Sequence, residues 1–225
     1  MHLRETLRNI TSLPKTIYFN FKVLPFKEAM LLPFYVDRDM RIGKLYKNVV
    51  KLNFSPERFA IKFGKRAFDG IPECTKGFIS MAPDSEIVFS GKAEFSYGVS
   101  FRAIKSGRIH IGKNFYCNKN CMIVSRDSIV IGDDVLIGWN VCIRDNDGET
   151  HKIYVNGIEN SNKKPISIGN HVWICAYAHV LKGVNIPNDT VIAYNSCVTK
   201  SFDEEHTIMA GSPASVIKRD IEWEQ

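Results

Sequence analysis

Apolar residues recur along the second half of the chain in pairs separated by one position, and the pairs repeat every six residues. A period of two inside each pair places both side chains on one face of a short strand. The second members of the pairs form five groups of three, with steps of 10, 8, 25 and 6 residues between the groups. They are Phe89, Phe95 and Phe101; Ile111, Cys117 and Ile123; Ile131, Ile137 and Ile143; Ile168, Ile174 and Val180; and Ile186, Ile192 and Val198. The pattern predicts five triangular coils, each made of three short strands.

Stacking explains why such coils would fold. One coil cannot bury its own apolar face, whereas coils stacked about 4.8 Å apart bury a continuous column and join through parallel ladders. Hexapeptide repeats are typical of all-β parallel β-helices. Glycine or asparagine follows several pairs, as in IGK, IGD, IGW and IGN, and predicts tight corners, some with positive φ. A β-sandwich is the alternative, but its strands are spaced irregularly.

Breaks in the repeat divide the chain into three predicted regions. Residues 1–80 form an N-terminal cap with a short helix near residues 26–32, and residues 81–202 form the β-helix with a protruding loop at 144–165. Residues 203–225 form a C-terminal segment that ends in a short helix. We expect the cap to close the first coil or to pack on a neighbouring subunit. Because the cap mixes apolar and basic residues, a weak peripheral contact with a membrane is the alternative.

Composition narrows the classes of function. Hydrophobic residues make up 44% of the 225 residues, as in a globular protein, and the net charge of +6 is too weak to predict nucleic-acid binding. The six cysteines form no CxxC pair, so we expect reduced core thiols and no metal site. The N-terminus lacks the apolar stretch of a signal peptide and no segment reaches about 20 apolar residues. We therefore expect a cytoplasmic protein, with membrane association as the alternative.

Two segments carry a family resemblance. The sequence GNHVWICAYAHVLKGVNIPNDTVIAYNSCVTK, followed by AGSPASVIK, resembles the C-terminal half of the hexapeptide-repeat acyltransferases, over roughly residues 85–220. That family includes galactoside, maltose, serine and polysaccharide O-acetyltransferases. The leading segment LPKTIYFNFKVLPFKEA resembles that of bacterial capsule or O-antigen O-acetyltransferases. The resemblance implies a left-handed β-helix, a homotrimer with active sites between subunits, and acetyl-CoA as the cofactor without a metal.

The long interruption at residues 143–165 is the expected place for the catalytic chemistry, since long excursions from compact repeats are usually functional. The resemblance implies a general-base histidine at the start of this loop, which is His151 here. Relatives often read DGH, whereas this chain reads DGETH from Asp147 to His151. Asp145 and Asp147 are candidates to orient the imidazole, and Glu149 is a candidate to bind the acceptor. The alternative is that these loop side chains are merely solvated.

Acceptor binding is also expected at Asn118. In YCNKN this residue matches the asparagine that contacts the acceptor in galactoside acetyltransferases. The alternative is a corner asparagine with left-handed backbone. Where that group has an acidic pair, this chain has Ser125 and Arg126, which predicts an acceptor other than a simple galactoside.

Coenzyme binding is expected on the later coils. The resemblance implies that Trp173 forms an aromatic wall and that the backbone N–H of Ala176 donates to the thioester carbonyl. It also implies that Thr199, Lys200 and Lys218 contact the pantetheine and the phosphorylated adenosine end. The usual glycine after VWI is Cys175 here, a departure that narrows the pantetheine groove or is harmless.

The resemblance and the candidate residues together predict an acetyl-CoA-dependent O-acetyltransferase that modifies a sugar hydroxyl in cell-surface polysaccharide biosynthesis, such as that of a capsule or O-antigen. Acetylation of the amine of an amino-sugar nucleotide is an alternative, because it needs the same base. A non-catalytic β-helix scaffold is another. A zinc hydratase of the γ-class carbonic anhydrase type, using His151, His171 and His179, matches only loosely.

Overall fold

Three parallel sheets wrap around one column of apolar side chains. The computed structural model describes residues 2–65, 76–148 and 152–224. Sheet A contains β1 (Phe34–Val36), β4 (Ile61–Lys65), β7 (Ala93–Ser96), β10 (Phe115–Cys117), β13 (Leu136–Ile137), β18 (Trp173–Ile174), β21 (Val191–Ile192), β23 (Ile208–Gly211) and β24 (Ala214–Lys218). Sheet B contains β2 (Arg41–Ile42), β5 (Phe78–Met81), β8 (Ser100–Ala103), β11 (Met122–Ser125), β14 (Cys142–Arg144), β19 (His179–Val180) and β22 (Cys197–Val198). Sheet C contains β3 (Val50–Leu52), β6 (Glu86–Phe89), β9 (Arg108–Ile111), β12 (Ser128–Ile131), β17 (Ile166–Ile168) and β20 (Asn185–Ile186).

Each full coil contributes one strand to each sheet, in the order A, B, C. Within each sheet, the strands of successive coils pair in parallel and in register, as Cys117, Ile137, Ile174 and Ile192 do along sheet A. The loop predicted at 144–165 leaves the column between β14 and β17. It carries a short antiparallel hairpin, β15 (Ile153–Val155) and β16 (Ile158–Asn160). The predicted parallel coils and the protruding loop are therefore confirmed.

The interior of the column is the predicted one. The second member of every apolar pair is at most 1% exposed, and all of these residues belong to a single core. Ile131, Ile137 and Ile143, which form one predicted group, line this shared interior. The early coils are filled by aromatic rings, as in the stacked pair Phe63 and Phe95 at 4.4 Å between ring centroids. Later coils are filled mainly by aliphatic side chains.

The parallel sheets begin earlier than the regular repeat. Strands β1, β2 and β3 form a first coil and β4, β5 and β6 form a second, both starting before residue 87. Their connections vary in length, so the six-residue spacing does not reveal them. The predicted division of the chain at residue 80 stays a prediction.

A long helix lies on the first coil. It is α1 (His2–Val23), and a second, short helix α2 (Phe26–Ala29) follows it. Phe19 and Val23, on the inner face of α1, are fully buried in the core, so they close the open end of the apolar column. The sequence predicted a short helix near residues 26–32 and missed α1. None of the helices among the described residues is both long and apolar enough to cross a membrane.

The inner face of α1 replaces a missing neighbouring strand. Ser12, Thr16 and Asn20 recur every four residues and are fully buried. Each of these side chains forms a hydrogen bond with the backbone of β1 or with the backbone of Arg38, two residues after β1 ends. A further strand would otherwise pair along this edge. Their backbone partners are Arg38, Val36 and Phe34, in that order. The helix thus satisfies the edge of sheet A with side chains, which protects that edge from pairing with another chain.

Glycines at the corners allow close approach of successive coils. A Cβ on Gly112 would lie 2.3 Å from the carbonyl oxygen of Gly132, and one on Gly138 would lie 2.6 Å from the nitrogen of Ala176. The positive φ values predicted for corners fall mainly on other residues, such as Asn120 at 58°. Glycine is therefore needed here for lack of space between coils, and asparagine or aspartate supplies the left-handed turn.

The C-terminal helix predicted from the sequence is wrong. Strands β23 and β24 form an antiparallel hairpin instead, and β23 continues sheet A by pairing in parallel with β21. Met209 is fully buried beneath the last coil and Ala214 is nearly so. The hairpin is favoured because the final coil leaves an open sheet edge, which β23 pairs and β24 then covers.

Candidate active site

Five of the predicted site residues lie at two different corners of the triangular column. Asn118 and Ala176 lie at the corner where the chain passes from sheet A to sheet B. Asp145, Thr199 and Lys200 lie where it passes from sheet B to sheet C. Within the described residues of one copy, the root of the loop is therefore separate from the corner that holds Asn118 and Ala176.

Asp145 anchors the root of the protruding loop. It is fully buried, and its two carboxylate oxygens accept hydrogen bonds from Ser125 and from the backbone N–H groups of Arg126 and Asp127, at 2.7 to 2.8 Å. The Asn146 side chain donates a further bond at 3.0 Å. A buried carboxylate needs such donors to offset its lost hydration. The carboxylate of Asp145 thus holds the loop to the preceding coil, and its effect on the imidazole stays a prediction.

Further bonds join the two ends of the loop. Asp147 forms an ion pair with Lys182 of the next coil, and the Lys182 ammonium also donates to the Ser161 carbonyl at 2.6 Å. The Asp147 N–H donates to the Asn162 carbonyl at 2.8 Å. Arg126 donates to the carbonyl of Gly148 at 2.8 Å. The base of the loop is therefore tied to the coils before and after it, so the loop leaves the body in a defined direction.

Two candidate residues of the loop, His151 and Glu149, lie outside the described residues. The described chain resumes at Lys152 and enters the β15–β16 hairpin. The apolar side chains of this hairpin are exposed, and they are Ile153, Tyr154, Val155 and Ile158. A projecting hairpin with exposed apolar side chains suits contact with another surface.

Asn118 stands at the start of a corner with limited space. Its side chain accepts a hydrogen bond from the N–H of Lys119 at 2.8 Å. The left-handed residue of this corner is Asn120, so the alternative reading of Asn118 as the left-handed corner residue is wrong. In the following coils the same position is occupied by Gly138 and then Cys175. Acceptor binding by Asn118 stays a prediction.

Cys175 and Ala176 occupy the same corner two coils later. Burial raises the pKa of the Cys175 thiol, so the thiol is neutral near pH 7. The N–H of Ala176 donates to no acceptor among the described residues, and the same is true of the corresponding N–H of Trp139 one coil earlier. Unpaired N–H groups at this corner are available to a carbonyl oxygen of a bound molecule.

Trp173 projects outward from sheet A and is 38% exposed. Its neighbour is Trp223 of the C-terminal tail, with ring centroids 6.0 Å apart. Trp223 stacks on His171 at 4.0 Å with nearly parallel rings, and its indole N–H donates to the His171 carbonyl. His171 in turn bonds Asp189 at 2.8 Å. The sequence reasoning missed Trp223, although a single large aromatic in the polar ending IEWEQ was a usable signal.

The remaining cofactor candidates are exposed. Thr199 and Lys200 lie directly above Leu181 and Lys182 at the corner between sheets B and C, and the Lys200 ammonium is 5.5 Å from the centre of the Phe202 ring. Lys218 lies at the end of β24, the last strand of sheet A. These cations are open to an anionic ligand, but the fold of a single chain does not gather them.

Metal-ligating side chains are dispersed over the described part of the chain. Within residues 2–65, 76–148 and 152–224, no group of three His, Cys, Asp or Glu side chains could hold a metal ion. His171 lies at the corner between sheets C and A, whereas His179 lies on sheet B. His110 is bonded to Ser90 at 2.7 Å on sheet C.

The comparisons with known proteins agree with this architecture. No family model matches the chain. The chain is 39% identical over 125 residues to "Galactoside O-acetyltransferase" of Escherichia coli, which covers 55% of this chain and 56% of that protein. It is 31% identical over 145 residues to the "Putative lipopolysaccharide biosynthesis O-acetyl transferase WbbJ" of Escherichia coli, which covers 60% and 73%. The chain spans about half the length of most of the curated relatives that it matches.

Two solved structures share the fold. The polysialic acid O-acetyltransferase OatWY has a TM-score of 0.52 and 25% identity, covering 85% of this chain and 71% of that one. The polysialic-acid-specific acetyltransferase NeuO has a TM-score of 0.58 and 22% identity, covering 85% and 82%. The chain is therefore a left-handed parallel β-helix protein and belongs to the hexapeptide-repeat acetyltransferase family.

Proposed function

We propose that this protein is an acetyl-CoA-dependent O-acetyltransferase that modifies a sugar hydroxyl. The observation that carries the proposal is the anchored loop. A fully buried carboxylate, Asp145, fixes a long excursion at one corner, while the unpaired N–H of Ala176 lies at another corner. A loop fixed in this way is suited to reach the corner of a second copy, as expected for a homotrimer whose active sites lie between subunits.

The proposed chemistry needs a base and an oxyanion donor. His151 accepts the proton of the sugar hydroxyl as the hydroxyl oxygen attacks the thioester carbonyl, and it then gives the proton to the CoA thiolate that departs as the carbon–sulfur bond breaks. The Ala176 N–H donates to the carbonyl oxygen as negative charge develops there. Asp147, held by Lys182, is the proposed carboxylate that orients the imidazole or the loop around it. Asp145 acts through the loop that it anchors.

Ligand binding is assigned to the exposed groups around these corners. Trp173 supplies an aromatic wall along the coenzyme, and Thr199 contacts the pantetheine arm. Lys200 and Lys218 are exposed ammonium groups that suit the phosphates of the adenosine end. For the acceptor we propose Asn118, together with Glu149 of the loop.

We further propose that the acceptor belongs to a cell-surface polysaccharide and that the protein acts in the cytoplasm. Two of the relatives support this class, since their names refer to lipopolysaccharide biosynthesis and to polysialic acid. The bonds of Ser125 and Arg126 to Asp145 also support an acceptor other than a simple galactoside. The acidic pair of the galactoside group is replaced here by residues that fasten the loop.

The test combines binding with product chemistry. In a thermal shift measurement, CoA should raise the melting temperature, and dephospho-CoA should raise it less, because it lacks one phosphate for the lysines. Incubation of the full chain with labelled acetyl-CoA and a panel of saccharides should give a labelled product that hydroxylamine cleaves, as expected for an ester. A label that resists hydroxylamine would instead identify N-acetylation of an amino sugar. If CoA does not raise the melting temperature and no labelled acetyl group is transferred, the alternative of a non-catalytic β-helix scaffold is favoured.

A further inference from the structure

The outer face of helix α1 exposes large apolar side chains from Leu7 to Tyr18. The helix buries polar residues against sheet A and turns large apolar side chains outward, which reverses the usual arrangement of a surface helix. Leu7 is 53% exposed, Ile10 57% and Tyr18 54%. Leu13 and Ile17 are also exposed on the same face. At about 100° per residue these positions share one arc of roughly 140°.

The apolar surface continues beyond α1. Phe21, which lies in the same arc near the C-terminal end of α1, packs edge-on against Phe26 of α2 at 5.7 Å between ring centroids. Phe26 is 66% exposed, and Met30 and Leu31 are exposed next to it. We call this continuous surface of α1 and α2 the outer helical face. Contiguous exposed apolar surface of this extent marks a contact with another molecule or with lipid.

A cationic groove borders the outer helical face. The groove has a volume of about 550 Å³, and Tyr18 forms its boundary with the apolar arc. Its lining includes four basic side chains and one acidic side chain, Asp39, which forms an ion pair with Arg8. The basic residues are Lys15, Arg38, Arg41 and Lys76. An aromatic ring between an apolar surface and a group of cations is the arrangement found at membrane interfaces.

We propose that the outer helical face and its cationic groove dock on a bilayer surface that contains anionic lipids. The apolar side chains enter the boundary between headgroups and acyl chains, and the groove receives the phosphate groups of the headgroups. Lys22 and Lys27 are exposed beside the same face and add to the attraction. The helix does not cross the membrane, since its opposite side is held to sheet A by Ser12, Thr16 and Asn20.

Position and charge favour lipid over a second copy of this chain. α1 packs on β1 of the first coil, whereas the proposed catalytic corners begin with β10, three coils further along sheet A. At about 4.8 Å per coil this separation is roughly 14 Å or more. The strand on which α1 packs is therefore displaced along the column from the corners that a neighbouring subunit would approach. A border that carries mostly cations suits an anionic surface better than an identical cationic one.

The experiment measures binding to vesicles. The full chain is centrifuged with vesicles of phosphatidylcholine alone and with vesicles containing phosphatidylglycerol. Binding should require the anionic lipid and should weaken as salt is raised. The variant Ile10→Glu/Ile17→Glu should lose binding, whereas Val130→Glu, which changes an exposed apolar residue on sheet C, should keep it. Melting temperature and oligomeric mass are measured for every variant to exclude misfolding.

A second pair of variants tests the groove. Arg41→Ala/Lys76→Ala should weaken binding by roughly fivefold for each charge removed. The control Arg108→Ala/Lys113→Ala removes two cations from the sheet C side of the column and should have a smaller effect. Equal binding to neutral vesicles would overturn the proposal. An absence of binding to the anionic vesicles would also overturn it. In that case, a smaller oligomeric mass of Ile10→Glu/Ile17→Glu would identify the outer helical face as a contact between copies of this chain.

Discussion

The hydroxyl of Ser125 donates a hydrogen bond to the carboxylate of Asp145 at 2.7 Å, and both groups are fully buried. The two residues occupy the same corner of successive coils. The Ser125 hydroxyl oxygen also lies 2.9 Å from the carbonyl oxygen of Arg108 one coil earlier, which is a second acceptor for its single proton. Three coils therefore meet at the Ser125 side chain, where the protruding loop begins.

Loss of the Asp145 carboxylate should destabilise the protein. Asp145→Ala leaves the partly buried N–H groups of Arg126 and Asp127 without their acceptor, and each such group costs about 1–3 kcal/mol. We expect the free energy of unfolding, measured in urea, to fall by at least about 2 kcal/mol in total. Asp147→Ala is the control, because it removes a more exposed carboxylate and should cost less than about 1 kcal/mol. Equal losses in the two variants would contradict the anchoring role.

Removal of the His151 imidazole should abolish most turnover without unfolding the protein. Because the proposed base contributes about 10²-fold or more, His151→Ala should lower kcat by at least that factor. The melting temperature and its shift with CoA should match those of the unchanged protein, since the loop is anchored by other residues. Unchanged turnover would reject His151 as the base.

The Cys175 thiol should report coenzyme binding. Because burial raises its pKa, alkylation by iodoacetamide should be slow at pH 7 and should accelerate as pH rises and the thiolate forms. Saturating CoA should slow the alkylation of Cys175 further if the pantetheine arm lies at this corner. Cys142, whose pKa burial also raises, lies on sheet B and serves as the internal control in the same mass spectrometric measurement. Equal protection of both thiols would indicate a global effect of CoA instead of contact at Cys175.

Helix α1 should depend on its polar inner face. Asn20 bonds both the N–H and the carbonyl of Phe34, so Asn20→Ala leaves two buried backbone groups unsatisfied. The expected loss is about 1–3 kcal/mol for each group, measured by urea unfolding. Asn9→Ala, an exposed change on the same helix, should alter the free energy of unfolding by less than about 0.5 kcal/mol. A loss as small for Asn20→Ala would show that α1 does not stabilise the edge of sheet A.

The sequence alone was sufficient to predict the stacked coils, the inward residues and the loop. A hexapeptide period is local information, because each apolar pair lies on a short strand and successive turns must stack to bury it. The same period failed for the first two coils, whose connections differ in length. It also could not predict α1, because Ser12, Thr16 and Asn20 bind the strand edge while Ile10 and Ile17 face outward.

Only the tertiary structure decided which distant residues meet. Asp145 contacts Ser125 across 20 positions, and Trp223 stacks on His171 across 52. The first pair depends on the number of residues in each coil, and the second depends on where the C-terminal tail returns to the column. A local six-residue period specifies neither property. Asn118 and Asp145 lie at different corners for the same reason. The corner at which a residue lies depends on the sheets to which its two flanking strands belong.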